Sequence, residues 1–237
     1  MAEPSDGESL EEAFARVEAA VDAGNADLSA LGFWRLLRTV KTDPAVARRF
    51  AEQAGRIDRK AFEAGVRMRF PVWLGNGALL TGTLFGAAAV VVATRASNAI
   101  LAGLALIAAA VAWSVSLHCP AHWAVGKLVG IRFTAYTFGG PPPPRPGLKT
   151  DYETYLLASP GERAWMHASG ALATKVAPFV ALAFWPGSDA PAWAAWTVLA
   201  IGVLQIVTDI LFSTKSSDWK KVRRERAVAR VQSARGV

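Results

Sequence analysis

Two histidines interrupt a long apolar stretch in the middle of the chain. His118 and His122 are separated by three residues within AWSVSLHCPAHWAVGKLVGIRF. On an α-helix this spacing places both imidazoles on one face, one turn apart, as two ligands of a single metal ion require. Polar side chains at membrane depth are costly and usually mark function. The spacing therefore predicts a metal site; the alternative is a pair of interfacial histidines that are hydrogen-bonded to neighbouring helices.

Further ligands would have to come from other parts of the chain. Asp209 lies about one turn inside the C-terminal end of the fourth apolar segment, and an ionised carboxylate there needs a cation or a basic partner such as Lys175. His167, near the start of the third apolar segment, could be a ligand or could serve interfacial packing. Nitrogen and oxygen ligands suit zinc, and iron and manganese stay open as alternatives.

The composition of the chain favours a membrane protein over a soluble domain. Of its 237 residues, 52% are apolar and 19% are charged, whereas soluble domains average about 25% charged residues. The charge is segregated, and residues 71–117 contain one charged side chain, Arg95. The only cysteine, Cys119, excludes a disulfide framework within the chain and a CxxC-type site.

Four stretches are long and apolar enough to cross a bilayer, which takes about 20 residues. They cover about 72–94, 99–130, 164–185 and 192–212. Lysine and arginine are concentrated before the first stretch, in the loop after the second and in the tail, so the positive-inside rule predicts that both termini are cytoplasmic. The formal charge of +7 is then a topology signal. We expect a multi-pass protein of the inner (plasma) membrane with the lipid bilayer as its partner, and no nucleic-acid binding.

The predicted fold is an all-α membrane protein with a helical cap. Residues 1–70 are expected to form a cytoplasmic cap, in which Ser9 and Glu12 make a capping box and Asp43 caps a helix that begins at Pro44. The predicted four-span domain occupies residues 71–212, and a cytoplasmic Pro-rich loop lies at 139–162 within it. Residues 213–237 form a basic cytoplasmic tail.

The second apolar segment resembles the site-2 protease family of intramembrane zinc metalloproteases. That family carries HExxH, commonly as HExGHxxVxxxxGI, followed by an extended segment that ends in FGG. The stretch from His118 to Ile131 keeps this frame, and RFTAYTFGG over 132–140 is similar to the membrane-dipping strand. His167 to Gly170 falls where the family often has an AGPxxN-like helix. Asp218-Trp-Lys-Lys-Val222 is similar to the segment whose aspartate is the third zinc ligand.

This resemblance implies a fold of four spans with a short membrane-dipping extended segment near 131–140, and Asp218 as a metal ligand. The family's catalytic glutamate is replaced by Cys119, and metal-assisted hydrolysis needs a base within reach of the attacking water. The catalytic residue is therefore unknown. Two hypotheses follow: a divergent or inactive metal-binding homologue that acts on a membrane-protein substrate or partner, or a non-catalytic membrane subunit without metal.

The loop that follows FGG contains Pro141–Pro144, a run that favours a stiff polyproline II segment. We expect it to gate the opening to the histidines, to dock a partner protein or to act as a spacer.

Overall fold

The computed structural model describes residues 8–66, 68–139, 145–211 and 217–236. These residues are mostly helical. The helices are α1 (Leu10–Asp22), α2 (Phe33–Val40), α3 (Pro44–Gly65), α4 (Val72–Arg95), α5 (Ala99–Ser116), α6 (His118–Leu128), α7 (Tyr152–Leu157), α8 (Pro160–Leu182), α9 (Ala192–Leu211) and α10 (Asp218–Arg235). The strands are β1 (Arg69–Phe70), β2 (Phe133–Gly139) and β3 (Arg145–Thr150). The predicted polyproline run Pro141–Pro144 lies outside the described residues.

The chain divides into two compact units. The first is drawn from residues 1–72, 126–163 and 224–237, and the second from residues 73–125 and 164–223. Helices α6, α8 and α10 contribute residues to both units.

Helices α1 and α3 of the first unit start at the predicted caps, and α2 lies between them in the chain. The Ser9 hydroxyl accepts a hydrogen bond from the Glu12 amide at 3.2 Å, and the Glu12 carboxylate accepts one from the Ser9 amide at 2.8 Å. Asp43 caps α3, with Pro44 as its first residue. The three helices bury a shared apolar core, in which the rings of Phe14 and Phe50 stack 4.8 Å apart.

The first unit also contains an antiparallel sheet of order β1-β2-β3. Strand β2 occupies the predicted extended segment near 131–140. Strand β3 and helix α7 fall within the stretch predicted only as a loop, 139–162. The sequence shows little of either, because β3 contains Pro146 and Gly147 and α7 has only six residues.

In the second unit, four helices are long and apolar enough to cross a membrane: α4, α5, α9 and the stretch Pro160–Gly187, which consists of α8 and a final 3-10 turn. Many of their large apolar side chains are exposed, among them Phe85, Leu104 and Leu204. Such exposure suits helices surrounded by lipid.

Small residues let these long helices approach one another. A Cβ on Gly86 of α4 would overlap the indole of Trp113 on α5, and one on Gly202 of α9 would lie 2.8 Å from the Phe179 ring on α8. Close helix contact at glycine is the usual packing device in membranes.

The second predicted span, 99–130, is not one helix. Helix α5 ends at Ser116, and α6 begins at His118 after a break at Leu117. Pro120 supplies the physical reason, since proline has no amide hydrogen and its ring clashes with the preceding turn of a continuous helix. In the first turn of a new helix neither cost arises. The membrane-spanning candidate in this region is therefore Ala99–Ser116 alone.

Candidate metal centre

Helix α6 presents the two histidines on one face. The ring centres of His118 and His122 lie 4.7 Å apart, as expected for residues one turn apart. His122 is buried, with 8% of its surface exposed, whereas the side chain of His118 is 37% exposed. The pair can therefore be reached from the His118 side.

Asp218 joins the two histidines across 96 residues of sequence. Its Oδ2 atom lies 3.3 Å from Nε2 of His122 and 3.4 Å from Nε2 of His118. One ligand atom from each of these residues falls within 4.8 Å of the others, close enough to hold a metal ion. Asp218 is the first residue of α10.

Apolar packing holds the start of α10 against α8. Val222 is buried with Ala164 and Ala168 of α8, and Trp219 packs against the same cluster. Because Trp219 directly follows Asp218, this cluster fixes the backbone that carries the carboxylate.

The opposite ring nitrogens of the histidines are held by partners on α8. Nδ1 of His122 lies 2.6 Å from the backbone oxygen of Met166. Nδ1 of His118 lies 3.0 Å from the Thr174 hydroxyl, which itself donates to the oxygen of Gly170 at 3.0 Å. Hydrogen bonds of this kind orient the histidines of metal sites and set their tautomers.

These partners decide which ring nitrogen carries the hydrogen. A carbonyl oxygen can only accept, so Nδ1 of His122 is the donor. The Thr174 hydroxyl lies 3.0 Å from both the Gly170 oxygen and Nδ1 of His118, so when it donates to Gly170 it accepts from His118, and Nδ1 of His118 is then a donor too. In the neutral rings, both Nε2 lone pairs then face the same Asp218 oxygen. Acceptors that face each other in this way need a proton or a cation between them.

The spacing suits a tetrahedral ion. With metal–nitrogen and metal–oxygen bonds of about 2.0–2.1 Å, two ligands of a tetrahedral zinc ion lie about 3.3–3.4 Å apart. The two histidine–Asp218 separations have this length, whereas charge-assisted hydrogen bonds are typically about 2.7–2.9 Å. Two of the three ligand separations therefore match a tetrahedral ion, and all three residues lie close enough together to hold a metal ion.

Two further groups shape the site. Lys221, one turn along α10, donates to Oδ1 of Asp218 at 3.0 Å, which leaves Oδ2 to the histidines. Burial raises the pKa of the Asp218 carboxyl, but in the metal-free site a proton on His122 that is donated to this carboxylate, together with the charges of Lys221 and of protonated His122 and His118, outweighs burial and holds that pKa well below the usual range. The carboxylate is therefore ionised, as a metal ligand must be.

Gly170 provides the space in which the His122 ring lies. A Cβ at this position would overlap the imidazole, with Cδ2 and Cε1 of His122 only 2.6 Å away. Helix α8 thus accommodates the ring at a glycine and binds it through Met166.

The structure does not bring the other two candidate ligands into this group. Asp209 pairs instead with Lys175, at 3.2 Å, which is the basic partner considered for it from the sequence. The ring centre of His167 lies 6.4 Å from that of His122, and His167 is not a member of the group of three.

Several contributors to the site carry little sequence signal. Met166 acts through its backbone oxygen, which any residue would supply. Gly170 and Thr174 stand one turn apart, but glycine and threonine are common in apolar helices. Lys221 is one of several bases in a basic tail.

No protein family, curated protein or solved structure matches this chain.

Proposed function

We propose that this chain is a multi-pass membrane protein that binds a metal ion through His118, His122 and Asp218. The observation that carries the proposal is the convergence of both Nε2 atoms on one oxygen of Asp218, at separations of 3.3 and 3.4 Å, while both Nδ1 atoms are occupied by hydrogen-bond partners. Zinc is the ion we expect from two imidazoles, one carboxylate and an open position, with iron or manganese as alternatives.

We further propose that the protein is a divergent relative of the site-2 proteases. The His-x3-His spacing, the strand over 133–139 and an aspartate near the C-terminus support this relation. Because basic residues flank the apolar helices, we place both termini in the cytoplasm and the protein in the inner (plasma) membrane. Its substrate or partner would be another membrane protein.

The chemistry of this site is limited by the residue after His118. A divalent ion held there supplies Lewis acidity and lowers the pKa of a bound water. Hydrolysis also needs a base to take the proton of that water. Cys119 stands at the position of the family's glutamate and is 4% exposed. Of the two carboxylates considered as metal ligands, Asp218 faces the histidines and Asp209 pairs with Lys175, so neither takes the place of that base. We therefore propose that metal binding is retained and that peptide hydrolysis is lost or weak.

Metal analysis of the purified full-length protein tests the binding proposal. We expect about one zinc ion per chain, and loss of that ion in His118→Ala, His122→Ala and Asp218→Ala. The double variant Asp209→Asn with Lys175→Met is the matched control, because it removes a carboxylate of the apolar helices that is not part of the group without leaving Lys175 unpaired. Absence of bound metal from the wild-type protein would refute the proposal and favour a non-catalytic subunit without metal.

Restoring the glutamate tests the relation to the proteases. If the site has the family geometry, Cys119→Glu should create or raise cleavage of a transmembrane substrate, and the Cys119→Gln control, which cannot take a proton, should not. A Cys119→Glu protein that binds metal and cleaves none of a panel of transmembrane substrates would count against that relation.

A further inference from the structure

A second buried charge cluster lies further along α10. Glu225, two turns after Asp218, has a side chain that is 5% exposed. Its carboxylate accepts hydrogen bonds from Lys41 Nζ at 2.7 Å, from the Tyr155 hydroxyl at 2.9 Å and from Arg163 Nε at 2.6 Å. Three different segments therefore converge on one carboxylate of the C-terminal helix.

Arg163 brings helix α8 into this cluster. Its side chain is 2% exposed, and besides Glu225 it binds the backbone oxygen of Ala158 at 2.5 Å. Met166, whose oxygen holds His122, follows Arg163 by one turn of α8. The pair of Arg163 and Glu225 thus joins the two helices that carry the third ligand and the backbone acceptor of the metal site.

The contacts between α8 and α10 continue from this ion pair towards the metal site. Ala164, next to Arg163, and Ala168 are buried with Val222, which precedes Glu225 by one turn. These apolar contacts hold the two helices together, and the ion pair adds a directional constraint on their register. A shift of α10 by one residue along its axis would move Asp218 by about 1.5 Å, whereas metal–ligand distances tolerate about 0.2 Å.

A charged pair is a costly way to join two helices. The free-energy cost of removing two charges from water offsets much of their mutual attraction. An apolar pair of similar size often stabilises a protein as well or better. An ion pair between buried partners differs in allowing few relative positions, since the donor and acceptor atoms must meet. This property favours a role in alignment.

We propose that Arg163 and Glu225 are positioning residues of the metal site: their buried ion pair sets the register of α10 against α8 and thereby holds Asp218 in reach of His118 and His122. This inference rests on the proposed metal binding. Neither residue touches the ion. On α10, the ion pair constrains Asp218 through the seven-residue step from Glu225 back to Asp218. On α8, it constrains the backbone oxygen that binds His122 through the turn from Arg163 to Met166.

Binding of Co²⁺ to the metal-free, full-length protein in detergent tests this role. Its visible absorption reports ligand number and geometry, and competition with a chelator gives the dissociation constant. Loss of a group that hydrogen-bonds to a metal ligand typically weakens metal binding about 10- to 100-fold, and a shift of Asp218 itself should cost as much. We expect a loss in this range for Glu225→Gln, together with a changed Co²⁺ spectrum. Arg163→Lys keeps the charge but not the guanidinium fork, and it should weaken binding less.

Tyr155→Phe is the matched control. It removes one hydrogen bond to the same carboxylate but leaves the ion pair between α8 and α10 in place. We expect a lower melting temperature with unchanged Co²⁺ affinity and spectrum. An equal loss of affinity in Tyr155→Phe would show that general destabilisation is responsible, and would overturn the inference.

The remaining outcomes separate this inference from the metal proposal. Wild-type affinity and spectrum in both Glu225→Gln and Arg163→Lys would overturn the positioning role alone. Absence of Co²⁺ binding from the wild-type protein would overturn the metal site and, with it, this inference. Where Glu225→Gln does not fold, Arg163→Lys decides between the outcomes.

Discussion

Adding one methyl group at Gly170 should damage the metal site more than it damages the fold. In Gly170→Ala the new Cβ would lie 2.6 Å from two carbon atoms of the His122 ring, where ordinary contacts are about 3.5–4.0 Å. The ring must therefore move by about 1 Å. Because ligand positions in metal sites tolerate only about 0.2 Å, we expect the dissociation constant for Zn²⁺ or Co²⁺ to rise about 100-fold or more.

Helix propensity acts in the opposite direction at this position. Alanine favours the helical backbone over glycine by about 1 kcal/mol, so a loss of metal affinity in Gly170→Ala cannot come from a weaker helix. Competition with a chelator, followed by Co²⁺ absorption, measures the effect on the purified protein.

Gly161→Ala is the matched control for this prediction. Gly161 lies on the same helix, where an added Cβ would meet only the Ser159 hydroxyl, at 4.0 Å. This variant should keep wild-type affinity. Wild-type affinity in Gly170→Ala as well would refute the argument that α8 accommodates the His122 ring at a glycine.

Two further predictions concern charges outside the metal site. The positive charges of Lys41 and Arg163 and their hydrogen bonds outweigh the effect of burial and lower the pKa of Glu225 from 4.5 to about 2. The stability that this carboxylate contributes is fully present above pH 4.5, is lost as the pH falls towards 2, and amounts to about 3 kcal/mol. Melting temperatures between pH 6 and 3 should therefore fall less steeply in Glu225→Gln than in the wild type, and parallel profiles would contradict this. Within the apolar helices, Asp209→Asn leaves Lys175 without its carboxylate partner. It should lower the free energy of unfolding by about 3 kcal/mol, measured as a lower melting temperature in detergent. The double variant Asp209→Asn with Lys175→Met should recover most of that loss, whereas a double variant as unstable as the single one would show that the pair is not what matters.

Local features of this protein were readable from the sequence because short-range physics produces them. The capping box at Ser9 and the Asp43–Pro44 start of α3 were predicted and are confirmed. The four long apolar helices were also predicted, and the structure has four helices of sufficient length and apolarity. Each of these features depends on residues within a few turns of one another.

The break between α5 and α6 was missed although Pro120 was visible. The residues on both sides of Leu117 are similarly apolar, so a span predicted from hydropathy continues through this position. Whether Pro120 kinks one long helix or lies in the first turn of a second one depends on how the following residues pack. Strand β3 was missed for a related reason, because its pairing with β2 stabilises a segment that contains proline and glycine.

The spacing of His118 and His122 alone places two imidazoles on one face of a helix, and this was readable without any structure. The sequence left two carboxylates as partners, Asp218 by family resemblance and Asp209 by membrane depth. Only the tertiary structure distinguishes them: Lys175 lies 3.2 Å from Asp209, and the packing of α10 on α8 brings Asp218 to the histidines. Depth and hydropathy describe one helix at a time, whereas a ligand set depends on how several helices pack.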